Sequence, residues 1–276
     1  MYDGYECLRF EVERGVAFVT IDHPPINLFD AALMRDLMRA GAELEADPNV
    51  RVVVLRSADP EFFIAHADVG LIQGLPAEVP PRTERLGFFH ALVDRFRTMP
   101  KATIAQIEGR ARGGGSELAL SLDMRFGALG RCILAQPEVA LGIIPGGSGT
   151  QRLPRLVGRA RALEIILGCD DVPADVAERW GYLNRALPPA ELAPFVERLA
   201  HRIASYSAEA IALAKQAVDL AERPIVEALA EEERLFFRSA ATAEARARME
   251  HFLARGGQTR AAELGLGEMV GALVAD

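Results

Sequence analysis

An α/β fold with a helical C-terminal region is what this chain predicts, and three observations carry the prediction. Short apolar runs rich in β-branched residues alternate with stretches of helical periodicity up to about residue 190. Several of those runs lack polar alternation, as strands buried on both faces do. Beyond about residue 190 no strand pattern occurs, and apolar residues recur only at helical spacing. The length, 276 residues with half of them hydrophobic, is enough for one large core with an appendage. The expected division is a core over residues 1–200 and a helical region over 201–276.

Taken in order, Leu8, Phe10 and Val12 alternate with Arg9, Glu11 and Glu13, then Arg14-Gly15 turns the chain into Val16–Ile21, so a β-hairpin is predicted. His23-Pro24-Pro25 ends it, because proline lacks the ladder donor. Asp30 can cap a helix over 30–46, with Leu33, Leu37, Ala40 and Leu44 on one face. Arg51 to Leu55 reads as a buried strand, 61–74 as a loop and short helix, and 75–81, rich in proline, as a connection. A helix over 82–98 is followed by a strand from Ala102 to Ile107. After a glycine segment and the helix-like Glu117-Leu118-Ala119-Leu120, short strands are expected at Met124–Ala128 and Cys132–Leu134, then a loop from Pro137 to Gly149. Helices are predicted at 159–168, 173–180, 190–204, 207–222, 224–254 and 258–265.

Composition excludes several classes. A formal net charge of -8 disfavours a bulk electrostatic grip on nucleic acid. Three scattered cysteines, Cys7, Cys132 and Cys169, form no CxxC pair, and five histidines show no ligand spacing, so neither a disulfide framework nor a zinc site is expected. No stretch is long and apolar enough to span a membrane, and Met1–Glu6 lacks a basic region followed by an apolar run; a cytoplasmic protein is expected.

Three segments can carry chemistry. Gly113-Gly114-Gly115 lies between a strand and a helix. Unpaired amides at a helix N-terminus, with the positive end of its dipole, suit a developing oxyanion; tight strand–helix packing is the bland alternative. It is no dinucleotide fingerprint, because Leu118 stands where a third glycine belongs. Ala65-His66-Ala67-Asp68 follows Phe62-Phe63-Ile64; taken alone, Asp68 reads as the cap of the next short helix. Glu138 precedes a loop containing Pro145-Gly146-Gly147-Ser148-Gly149, and a lone loop glutamate is usually a solvated group. Thr150 stands where a nucleophile elbow needs glycine, which argues against a serine hydrolase.

Together, in this order and spacing, the three segments resemble the enoyl-CoA hydratase/isomerase (crotonase) superfamily. Val16–Asp22 with His23-Pro24-Pro25-Ile26-Asn27, Lys101–Ala105 before the glycines, and Ser207–Val218 extend the resemblance over about residues 6–260. The resemblance implies a spiral of ββα turns with a C-terminal helical region that assembles trimers or dimers of trimers. It implies an acyl-CoA thioester as substrate, no separate cofactor, and an oxyanion hole from the amides of Ala67 and Gly114. Glu117 and Glu138 fall where hydratases of the family carry two glutamates around a water, Glu138 as the main acid/base and Glu117 as partner. Ile26, Ala65, His66, Asp68 and Gly113 are expected along the substrate path. The Gly146 amide is expected to hold the water or the loop, and Lys101 and Lys215 to meet phosphates or remain solvated surface charges.

Two positions depart from the family pattern. His66 stands where glycine is common, so its imidazole is expected to narrow the channel or contact the thioester or adenine. Arg112 precedes the glycines, either pointing outward or binding a carboxylate on a polar acyl group. Hydration of an enoyl-CoA is the expected reaction. Isomerisation, decarboxylation or ring cleavage on the same enolate chemistry, and a noncatalytic binding protein, are the alternatives.

Overall fold

The computed structural model describes residues 2–74, 86–222 and 242–255. β1 (Leu8–Glu13) and β2 (Val16–Ile21) form the antiparallel hairpin, with Glu13 opposite Val16. Its two-residue turn needs positive φ at both positions, and Arg14 (φ 47) and Gly15 (φ 81) adopt it. In α1 (Ala31–Ala46), the Asp30 carboxylate accepts from the amides of Ala32 and Leu33, and Leu33, Leu37, Ala40 and Leu44 are buried as their spacing predicts.

From there the chain lays down strands in pairs. β3 (Val52–Ser57), β5 (Ala102–Ile107), β7 (Met124–Ala128) and β10 (Arg185–Leu187) extend the hairpin into a six-stranded sheet ordered β1-β2-β3-β5-β7-β10. β4 (Phe62–Ile64), β6 (Arg110–Arg112), β8 (Ile133–Ala135) and β9 (Val172–Pro173) form a second sheet in that order. Each of the pairs β3/β4, β5/β6 and β7/β8 gives one strand to each sheet, and these strands run parallel to their neighbours in the same set. Helical segments separate successive pairs: α2 (Val69–Gln73) and α3 (Phe88–Thr98) after the first, α4 (Gly114–Ser121) after the second. This is the expected ββα spiral.

Alternate residues of the large sheet face two cores. Val19, Ile21, Val53, Leu55, Ala105 and Ile107 join α1, α3, α4 and the small sheet. Val16, Phe18, Val52, Val54, Ile104 and Phe126 pack instead against α8 (Pro189–Ala204) through Leu192, Val196, Ala200 and Ala204. Residue 200, the expected division of the chain, therefore lies inside a helix that seals one face of the sheet.

α5 (Gly149–Val157), α6 (Arg159–Gly168), α7 (Ala174–Trp180), α9 (Ala208–Asp219) and α10 (Ala243–Ala254) complete the described helices. α5 had no sequence expectation, and β4, β9 and β10 are too short to show a period. The expected connection at 75–81, the start of the helix at 82, most of the helix from 224 and the helix near 258 lie outside the described residues. Among the described residues no helix is long and apolar enough to cross a membrane, and no group of His, Cys, Asp and Glu is arranged to hold a metal.

Candidate active site

Where the two sheets meet α4, local geometry converges three chain segments. β6 ends at Arg112, and Gly113, with φ of 50 and ψ of -126, turns the chain directly into α4, a conformation open to glycine. The Gly113 amide donates to the Ala135 carbonyl (3.0 Å), and its own carbonyl accepts from the Glu117 amide (2.9 Å). Gly115 permits close approach to β4: a Cβ there would lie 2.6 Å from the Ile64 carbonyl oxygen.

Past β4, Ala67 pairs in parallel with Phe29. The Phe29 amide donates to His66 O (2.9 Å) and the Asp68 amide to Phe29 O (3.2 Å). That pattern turns the Ala67 N–H away from Phe29. A Cβ on Gly114 would lie 3.3 Å from the Ala67 Cβ, so the two expected donors are neighbours. Among the described residues, neither the Ala67 nor the Gly114 N–H has a protein acceptor. Two adjacent, unpaired amides, one at a helix N-terminus, are what a developing thioester oxyanion requires.

Glu117 lies one turn into α4 and is 3% exposed. Its Oε1 accepts from the amides of Gly147 (2.7 Å) and Gly149 (2.8 Å), which leaves Oε2 for a further partner. Burial raises its pKa, and the two amides oppose the rise. Glu138, 9% exposed, opens a 3-10 turn (Glu138–Leu141) after β8. Its Oε1 is 3.0 Å from where a Cβ on Gly113 would sit. Burial, reinforced by the charge on Glu117, pushes its pKa up to about 7. The Gln136 amide, oriented so that both its ends are satisfied, donates to Glu138 Oε1 (3.3 Å) and Oε2 (3.2 Å).

The remaining expected residues divide. His66 Nδ1 donates to the Ala67 carbonyl oxygen (2.8 Å), which leaves Nε2 open, and the His66 Cβ is 3.8 Å from the same Gly113 Cβ position that Glu138 approaches. Ile26 accepts from the Ala65 amide (3.3 Å) and so pins the donor segment. Asp68 caps α2 by accepting from the Gly70 amide (2.8 Å).

The expectations for the two lysines are corrected, and the surroundings of Arg112 and Gly146 are defined. Lys101 is buried, and its ammonium donates to Asp47 O and Val50 O (2.6 Å for the latter), so it is turned away from any phosphate. Arg112 makes a two-pronged contact with Asp171 (2.7 and 2.6 Å), so the guanidinium is already engaged by a carboxylate of this chain. Gly146 is exposed; the amides of Gly147 and Gly149, not its own, hold Glu117. Lys215 likewise pairs with Asp123 (2.8 Å) and Lys101 O (2.7 Å).

Sequence reasoning missed Gly147 and Gly149, Gln136, and Phe89, whose ring packs between the glycine segments. The glycine loop pointed to the first two. An amide in a proline- and glycine-rich stretch carries no side-chain signature of its target.

Comparison with known proteins agrees with this geometry. The family model described as enoyl-CoA hydratase/isomerase matches residues 11–259. A crotonyl-CoA hydratase of Syntrophomonas wolfei is 35% identical over 217 residues, covering 78% of this chain and 82% of the relative. A short-chain-enoyl-CoA hydratase of Clostridium acetobutylicum is 35% identical over 210 residues, covering 76% and 79%. The crystal structure of an enoyl-CoA hydratase from Geobacillus kaustophilus superposes with a TM-score of 0.84 at 27% identity, over 92% of this chain and 96% of that one.

Proposed function

Because the chain belongs to the enoyl-CoA hydratase/isomerase family, we propose that it is a hydratase that adds water across the 2,3 double bond of an enoyl-CoA thioester. One observation carries the choice of hydration: two buried carboxylates, Glu117 and Glu138, flank the pair of unpaired amides. The names of the two curated relatives, both hydratases, support it.

In this reading the thioester oxygen rests on the amides of Ala67 and Gly114. A water lies between Glu117 Oε2 and Glu138. The water oxygen bonds to the β-carbon while one of its protons passes to ionised Glu138. The π electrons move through the α-carbon onto the thioester oxygen, where the two donors stabilise the charge. Glu138 then returns its proton to the α-carbon, leaving hydroxyl at the β-carbon and hydrogen at the α-carbon. A group that accepts and then gives a proton works best with a pKa near the working pH, and Glu138, at about 7, is so placed. Glu117 keeps one oxygen locked by two amides, so the other is aimed at the water. Donors directed at the enolate oxygen favour the transition state over the ground state, and losing one typically costs about 10²–10³ in rate.

The test is to mix the protein with crotonyl-CoA and follow loss of the conjugated thioester absorbance. Loss that disappears in Glu138→Gln supports hydration. Stable absorbance in the presence of bound thioester overturns it and turns attention to the open Nε2 of His66 as the group for a different acyl-CoA reaction.

A further inference from the structure

An acyl chain whose thioester oxygen rests on Ala67 and Gly114, and whose β-carbon lies between the two carboxylates, must continue beyond that carbon. The ring of Phe89, from the first turn of α3, lies against both the Gly114 donor and the Gly147 anchor. Its Cζ is 3.4 Å from where a Cβ on Gly114 would sit. Its Cε1 and Cδ1 are 2.2 and 2.7 Å from the corresponding position on Gly147, the residue whose amide holds Glu117. The ring thus reaches from an oxyanion donor to the anchor of a carboxylate. It is braced there by Phe29, a fully buried ring 5.1 Å away and inclined at 62°. Phe29 is itself tied by its backbone to the Ala67 segment, so the brace and the oxyanion donor move together.

α3 also borders a pocket of about 300 Å³, lined by Leu86, His90, Asp94 and Arg97 from α3 and its approach and by Ser148 and Arg152 from the glycine loop and α5. Ser148 directly follows Gly147 in the chain, so this pocket begins one residue beyond the anchor of Glu117. An ion pair between Asp94 and Arg152 (2.9 Å) holds the far side together.

We infer that Phe89 is the residue that sets acyl-chain length, closing the cleft just beyond the β-carbon and restricting this enzyme to short-chain enoyl-CoA thioesters. The inference rests on the acyl-CoA reading above. It assigns to Phe89 no part in the chemistry; the ring excludes methylenes that would otherwise pass between Gly114 and Gly147. One misfitted methylene in a pocket is worth about 10–200-fold in specificity.

The experiment compares kcat/KM for crotonyl-CoA and trans-2-decenoyl-CoA in the wild type, Phe89→Ala, Phe89→Leu and Phe89→Trp. Phe89→Leu keeps an apolar contact with Phe29 and serves if the alanine variant fails to fold. The wild type is expected to prefer the short thioester by at least ~10-fold. The alanine and leucine variants are expected to shrink that preference by about 10-fold or more, and tryptophan to steepen it. Calorimetric affinities for butyryl-CoA and decanoyl-CoA, saturated thioesters that cannot be hydrated, are measured alongside and should follow the same order. Equal use of both chain lengths by the wild type, or a preference unchanged in every variant, overturns the role of Phe89. No turnover of any enoyl-CoA, with the affinity order shifting as expected, sinks hydration and leaves Phe89 standing; no binding of either thioester sinks both.

Discussion

Two glutamates in one small site differ in character because different groups hold them. Glu117 has an oxygen saturated by two amides, and Glu138 has burial, a neighbouring negative charge and the weaker contact of Gln136. Glu138 must be ionised to take the water's proton, so kcat/KM for hydration should rise as pH increases through about 7. That limb should be missing from the residual activity of Glu138→Gln, whose rate is expected to fall by about 10²–10⁴. A pH profile of both proteins over the neutral range decides this; an inflection retained in the variant assigns the titration elsewhere. The same shift has a consequence for stability. A carboxyl whose pKa rises from 4.5 to about 7 on folding binds its proton more tightly in the native state. Its contribution is therefore fully present below about pH 4.5 and is lost as pH climbs through about 7. Glu138→Gln, which cannot ionise, should gain stability relative to the wild type across that window, by about 1–2 kcal/mol once the carboxylate's partial access to solvent is allowed for. Urea melts of both proteins at pH 4.5 and pH 8 test the sign; a gap that closes with rising pH contradicts it.

Among elements, the contact between α4 and β4 joins the two proposed oxyanion donors, and Gly115 is where the elements touch. A Cβ there would meet Ile64 O at 2.6 Å and Ile64 Cβ at 2.7 Å, both parts of a buried strand that cannot swing aside. Gly115→Ala should cost about 1–3 kcal/mol by overpacking. It should also lower kcat, because β4 leads straight into Ala67. Gly168→Ala, at a position with nothing within 4 Å and no positive φ, is the control expected to leave both unchanged. A Gly115 variant as stable and active as the control would show that the donors are not coupled through this contact. This scale also marks what the sequence could reveal. The triple glycine, both glutamates and the donor segment drew notice together, because their order and spacing resemble one family, while each alone had a plain structural reading. The anchors of Glu117 did not, since a backbone amide has no signature. Lys101 misled for a related reason: a lysine displays its charge in the sequence, but not the carbonyls of Asp47 and Val50 that enclose it. Arg112 likewise gives no hint of Asp171, 59 positions along the chain.

At the scale of the molecule, the large sheet separates two cores with different duties. β3 and β5 were readable as buried strands because Val52–Leu55 and the apolar residues of Ala102–Ile107 supply side chains to both faces. β9 and β10, of two and three residues, take their identity from pairing with distant strands, which no local pattern encodes. The site grows from the face that carries α1, α3 and α4, while α8 covers the other. A defect under α8 should therefore weaken the fold without reshaping the cleft. Leu192 on α8 is fully buried among residues of the large sheet's outer face, and Leu192→Ala is expected to cost about 2–5 kcal/mol. Because α8 is continuous with the sheet's packing through Ala204, that loss should appear as a shift of one cooperative transition in urea, with KM for crotonyl-CoA unchanged. A separate early transition would mean that the helical region melts on its own and that the chain divides near residue 200. A changed KM with the single transition intact would mean that the sheet transmits packing strain from α8 to the oxyanion donors.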